Sequence, residues 1–167
     1  AGGRRQCHRR PMRYACCRLE GRSGHEAGWA LLRQLYLEET GLALPPVRLS
    51  KTGKPYFPDS PYCFSISHTG RHAVCVLGQR PVGVDMEELD RPVRLKIAGR
   101  ILSAPEYGQF AQAADQRRAF LTFWVLKEAF LKCRGTGLQG IPNHTAFSLS
   151  DPRVWEWDGC LVAMIVE

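Results

Sequence analysis

The sequence lacks any uninterrupted apolar run near the ~18 residues of a helical bilayer span, so no such span is expected within it. It also lacks a C-x-x-C pair. Its seven cysteines, at positions 7, 16, 17, 63, 75, 133 and 160, are odd in number and irregularly spaced. A zinc ribbon or a disulfide framework needs better spacing, so free thiols in a reducing compartment are the expectation. No G-x-x-x-x-G-K-[ST] phosphate loop and no G-x-S-x-G nucleophile elbow occur, which argues against P-loop and α/β-hydrolase chemistry. There is no short repeat and no low-complexity segment. Acids are almost missing from residues 1–22, where Glu20 stands against Arg4, Arg5, Arg9, Arg10, Arg13, Arg18 and Arg22. No apolar segment follows these arginines, so they do not read as a secretory signal and the expected location is cytoplasmic.

What is present is a chain of 167 residues, 44% hydrophobic and 23% charged, which is globular in composition and long enough for one core. The net charge of +7 first points to nucleic acid. Beyond residue 22, however, sixteen bases face fifteen acids. The basic character is an arm on a nearly neutral body.

Residues 12–19 read as a first strand. Trp29, Leu32, Leu35 and Tyr36 fall at helical spacing over 29–39, with Gly41 as the stop. A Pro- and Gly-rich loop spans 45–61. Residues 63–67 alternate as a strand, and 73–77 and 82–87 read as two more. Leu95, Ala98, Ile101 and Leu102 predict a helix, and Ser103 to Glu106 reads as a capping box opening another. The strongest helix spans 117–134 and ends at Gly135. Residues 145–150, 153–157 and 160–166 read as strands, with Asp158-Gly159 as a hairpin turn. The expectation is an α+β chain of two halves, 1–80 and 81–167, each with helix and antiparallel strands.

Four clusters could carry chemistry. In Gly83-Val84-Asp85-Met86-Glu87, strand period two puts Asp85 and Glu87 on one face. Two close carboxylates suit a hard divalent cation such as Mg²⁺, although a solvated acidic strand end is an equally simple reading. Glu128 and Lys132 share a helix face with Lys127 beside them; they could serve a site or form a surface salt bridge. Ser67 and His68 close a strand before Gly70 and could contact phosphate or simply turn the chain. Lys54, in Gly53-Lys54-Pro55, is a loop lysine by itself.

Taken in order, G-K-P, F-S-I-S-H-T, G-V-D-M-E and F-W-V-L-K-E-A-F-L-K resemble the 4′-phosphopantetheinyl transferases of the Sfp type. The resemblance is good over about residues 50–150 and loose over 22–49. It implies two similar α+β halves related by a pseudo-twofold, with the active site in the cleft between them. It implies transfer of the phosphopantetheine arm of coenzyme A to a carrier-protein serine, releasing adenosine 3′,5′-bisphosphate. The carriers belong to fatty-acid, polyketide or nonribosomal-peptide synthesis. By position, Asp85, Glu87 and Glu128 would hold Mg²⁺. Glu128 would accept the serine proton, and Lys132 would stabilise the pyrophosphate or protonate the leaving oxygen.

Ser67, His68, Lys54 and Lys127 would contact coenzyme A, with Trp124 packing beneath the motif. Larger members grip the 3′-phosphate with basic residues before the first helix, for which Arg22 and His25 are the candidates here. The connection from Phe147 to Trp157 is shorter than members usually have. The implied partners are coenzyme A and an acidic acyl or peptidyl carrier protein, with no nucleic acid or membrane partner and a monomeric state. The competing classes are a Mg²⁺-dependent phosphodiesterase or nuclease and a non-enzymatic basic nucleic-acid binder.

Overall fold

The computed structural model describes residues 12–136 and 146–167. Arg4, Arg5, Cys7, Arg9, Arg10 and Thr145 lie outside the described residues. Strand β1 (Arg13–Arg18) leads to helix α1 (Gly24–Thr40), which starts earlier than the apolar spacing indicates. The cause is a capping box. Glu26 N donates to Ser23 Oγ at 3.1 Å, and Ser23 N donates back to the Glu26 carboxylate at 3.0 Å. The helix ends at Gly41 with φ 72°, a left-handed stop that glycine adopts without strain.

The loop that follows contains a minimal hairpin, β2 (Arg48–Leu49) and β3 (Pro55–Tyr56). Next come β4 (Cys63–His68), β5 (His72–Gly78) and β6 (Val82–Glu88). A 3-10 turn at Leu95–Ile97 runs into α2 (Ala98–Ile101), then α3 (Ala104–Gln112) and α4 (Gln116–Arg134). The chain closes with β7 (Val154–Trp157) and β8 (Cys160–Val166), joined through Asp158 and Gly159, both at positive φ.

These elements confirm an α+β architecture. One antiparallel sheet has the order β1-β5-β4 and the other β6-β8-β7. Each sheet pairs its first strand with its last, and each has a helix between its first and second strands in sequence. Helix α1 covers the first sheet over Phe64, Ala73, Cys75 and Leu77. Helix α4 covers the second over Leu161, Ala163 and Ile165. Between the sheets, Val74 and Val76 meet Val82, Val84, Met86, Cys160 and Val162. Burial of this apolar seam stabilises by roughly 25 cal/mol per Å² removed from water. Two serines bond it as well: Val84 N donates to Ser65 Oγ at 3.1 Å, and Met86 N to Ser67 Oγ at 3.2 Å.

The strand expected over 145–150 is not formed by residues 146–150, which are irregular and then turn. Side chains of α3 take up the backbone donors a ladder would have used. Phe147 N donates to the Glu106 carboxylate at 3.0 Å and Leu149 N to Gln109 Oε1 at 3.1 Å. No helix among the described residues is long and apolar enough to cross a membrane.

Candidate active site

Strand β6 presents two faces. Val82, Val84 and Met86 are buried in the seam, while Gly83, Asp85 and Glu87 lie on the alternate side, against α4. The approach is close at Gly83, where a β-carbon would fall 1.9 Å from Ala129 O and 2.3 Å from Cys133 N. Only glycine lets strand and helix backbones meet there. The residues immediately before these two on α4 are Glu128 and Lys132, so the contact brings a carboxylate and an ammonium close to the strand that carries Asp85.

Asp85 is 5% exposed. Its Oδ1 accepts from Lys132 Nζ at 3.0 Å and from Ser67 Oγ at 3.2 Å. Its Oδ2 is buried with no hydrogen-bond partner. Burial pushes the Asp85 carboxyl up to about 6; Lys132 opposes this, and Glu87 and Glu128 add to it. Burial likewise raises Glu128, against the pull of Lys132 and with a push from Glu87. Glu87 accepts from Trp124 Nε1 at 3.1 Å and pairs with Arg91 at 2.7 Å. Arg91 lies over the Trp124 ring, 5.8 Å from its centroid, and that ring stacks on Phe120.

Three mutually repelling carboxylates and an orphaned, buried Asp85 oxygen fit a hard divalent cation with oxygen ligands. Glu87 is drawn aside toward Arg91 and Trp124 rather than toward Asp85. Beside the carboxylates lies a cleft of about 320 Å³, lined by Lys54, Phe64, Ile66, Glu128, Leu131 and Lys132. Its lining combines apolar side chains with acid–base groups.

The structure therefore joins Asp85 directly to Lys132 and Ser67, keeps Glu87 and Glu128 within electrostatic range of it without gathering the three carboxylates to metal-ligand spacing, and distributes the other expected site residues differently. Ser67 is buried, and its hydroxyl is engaged by Asp85 and the Met86 N–H, so it positions the carboxylate. His68, its neighbour on the strand, points to the opposite face, is exposed and lies over Gly24 at the start of α1. Lys127 does not line the cleft: it is 3% exposed and pairs at 2.7 Å with Glu106, which is 0% exposed. Lys54 donates to Val82 O at 3.1 Å, to Lys132 O and to Cys133 O, so its ammonium sits on the C-terminal carbonyls of α4. Arg22 bonds the Leu19 and Arg18 carbonyls at 3.1 and 3.2 Å.

Residue types and spacing did not single out Trp124, Arg91 and Gly83 as site-building. The available signals were the i, i+4 spacing of Trp124 and Glu128, the same spacing of Glu87 and Arg91, and a glycine inside a strand.

A profile of the 4′-phosphopantetheinyl transferase superfamily matches residues 81–158, which contain this carboxylate cluster. The chain is 35% identical over 116 residues to the 4′-phosphopantetheinyl transferase Sfp of Bacillus subtilis, covering 66% of this chain and 51% of that protein. It is 35% identical over 125 residues to the 4′-phosphopantetheinyl transferase psf-1 of Bacillus pumilus, covering 71% and 53%. To the 4′-phosphopantetheinyl transferase gsp of Aneurinibacillus migulanus it is 33% identical over 93 residues, covering 54% and 38%. The chain spans about half the length, or less, of these curated superfamily relatives.

Proposed function

We propose that this chain transfers the 4′-phosphopantetheine group of coenzyme A to a serine hydroxyl of an acyl or peptidyl carrier protein, leaving adenosine 3′,5′-bisphosphate. The observation that carries this reading is the buried, unpartnered Oδ2 of Asp85 beside Glu87, Glu128 and Lys132 at the edge of a cleft. Asp85, Glu87 and Glu128 are the residues that would hold Mg²⁺. When bound there, the ion supplies charge neutralisation and in-line orientation of the pyrophosphate.

The chain's own groups do the rest. Glu128, whose carboxyl burial pushes above its ordinary value, is the proposed acceptor of the serine proton. Lys132 steadies Asp85, lines the cleft and is the proposed group to stabilise the pyrophosphate or protonate the leaving oxygen. Ser67, from the other sheet, fixes the Asp85 carboxylate. His68, exposed at the end of β4, and Arg22, just before α1, are the proposed phosphate contacts. Residues 1–80 and 81–167 are read as two halves about a pseudo-twofold, supported by their shared strand–helix–hairpin order. A monomer in the cytoplasm completes the reading, supported there by the free thiols of the described cysteines.

Intact mass spectrometry of apo carrier proteins with coenzyme A and Mg²⁺ tests the proposal. The expected result is a mass gain of one phosphopantetheine unit, lost with Asp85→Ala. Phosphodiester hydrolysis without a carrier, or no mass gain on any carrier of an acyl and peptidyl panel, overturns it.

A further inference from the structure

His72, Glu88 and Cys160 bring one ligand atom each to within 4.8 Å of one another, at the seam between the two sheets. His72 comes from β5, Glu88 from the end of β6, and Cys160 from the start of β8. His72 Nδ1 stands 3.2 Å from Glu88 Oε1 and 3.3 Å from Cys160 Sγ. Tetrahedral zinc, with bonds of roughly 2.0–2.3 Å to oxygen, nitrogen and sulfur, spaces its ligands at similar separations. The set is distinct from the Asp85 cluster in chemistry. It mixes imidazole, thiol and carboxylate, a combination that selects a borderline transition ion over Mg²⁺.

A second observation concerns the other ring nitrogen. His72 Nε2 is 2.9 Å from Asp158 Oδ2 in the β7–β8 turn. An Nε2–H donated to that carboxylate leaves the Nδ1 lone pair directed at Glu88 and Cys160. This is the carboxylate–histidine arrangement that orients an imidazole ligand and raises its basicity. The flanking charges are matched. Asp158 is paired with Arg18 at 2.7 Å, and Arg71 with both Glu88 Oε2 at 2.6 Å and Asp90 at 2.7 Å. Thr69 Oγ1 donates to Glu88 Oε1 at 2.7 Å. A divalent ion with Cys160 thiolate and Glu88 carboxylate would close with no net charge among its direct ligands. A cavity of about 490 Å³, lined by Arg18, Arg71, His72, Asp90 and Asp158 among others, borders the group on the His72 side.

We propose that His72 Nδ1, Cys160 Sγ and Glu88 Oε1 form a binding site for a zinc-class divalent ion that ties β5, β6 and β8 together across the seam. Binding replaces the Cys160 S–H proton with the metal, so one proton is released per ion and no oxidation state changes.

The test is titration of the chelator-treated full chain with Co²⁺, followed by displacement with Zn²⁺. The expected result is one equivalent of Co²⁺ giving a near-ultraviolet thiolate-to-cobalt band, quenched by Zn²⁺, with a Tm that rises with Zn²⁺ concentration. Cys160→Ser removes the band, whereas Asp85→Asn retains it. Asp158→Asn, which suits the positive φ of that turn residue, weakens Zn²⁺ binding by roughly 10- to 100-fold. Nitrogen NMR of the unmodified protein gives a readout that needs no variant: the His72 Nδ1 signal shifts on Zn²⁺ addition while Nε2 keeps its proton. No charge-transfer band, a band that survives in Cys160→Ser, or a His72 ring that keeps protons on both nitrogens in excess Zn²⁺ overturns the proposal. The last result would make His72 an imidazolium bridge between Glu88 and Asp158.

Discussion

A β-carbon on Gly83 would lie 1.9 Å from the carbonyl oxygen of Ala129, so β6 and α4 meet backbone to backbone. The Lys132–Asp85 and Trp124–Glu87 contacts cross from α4 to β6 and depend on that approach. Gly83→Ala forces the two elements apart, and overpacking of this kind costs typically ~1–3 kcal/mol. The expected outcome in denaturant unfolding is a lower midpoint with an unchanged slope. Phosphopantetheine transfer is expected to fall further than the folded fraction, because Asp85 and Glu128 separate. A stability equal to wild type would show that the contact relaxes without consequence.

Trp124 donates its indole N–H to Glu87 at 3.1 Å while its ring packs on Phe120. Trp124→Phe retains an aromatic ring and deletes the donor. Mg²⁺ affinity, read by calorimetry, is expected to weaken by roughly 10- to 100-fold, as for other outer partners of metal ligands. Melting should change little. A large drop in Tm with unaltered Mg²⁺ affinity would make the residue a packing element alone.

Asp85 sets a pH dependence in the metal-free protein. Its folded-state pKa is raised from 3.8 to about 6, chiefly by burial. The folded state therefore holds the proton more tightly than the unfolded state. Its contribution is fully favourable below the unfolded value and is lost as pH rises through about 6. Stability measured in chelator is expected to decline from this group across that window. Asp85→Asn should flatten the decline and gain on the order of 2–3 kcal/mol at neutral pH, while abolishing transfer. Parallel wild-type and variant profiles would contradict the assignment.

Lys54 donates to Val82 O, Lys132 O and Cys133 O, capping α4 from the β2–β3 loop. Lys54→Met leaves those half-buried carbonyls without their charged donor, at a cost of about 1–3 kcal/mol. The expected pattern is a lowered melting temperature with a smaller change in coenzyme A affinity, measured by calorimetry on the folded variant. The reverse pattern would return Lys54 to direct contact with the nucleotide.

The cluster of Asp85, Glu87, Glu128 and Lys132 was legible because two short-range periods decide it. Strand period two places Asp85 with Glu87, and helical i, i+4 spacing places Glu128 with Lys132. The Asp158-Gly159 hairpin, the capping box at Ser103 and the stops at Gly41 and Gly135 were local in the same way. Lys127 was not legible. It is adjacent to Glu128 in sequence, yet one step around a helix turned it into a buried pair with Glu106. Residues 146–150 failed as a strand for a similar reason, since Glu106 and Gln109 from α3 take their N–H groups.

The sequence by itself determined the α+β class, the helix and strand periods, and the residue types that suit a divalent cation. The tertiary structure decided which of those residues meet. It turned Ser67 toward Asp85 and His68 away, and drew Glu87 to Arg91 and Trp124. It also assembled His72, Glu88 and Cys160 from three strands. Periodicity fixes which face of an element a side chain occupies. Contacts between distant strands arise only when whole sheets pack, and no local pattern encodes that distance.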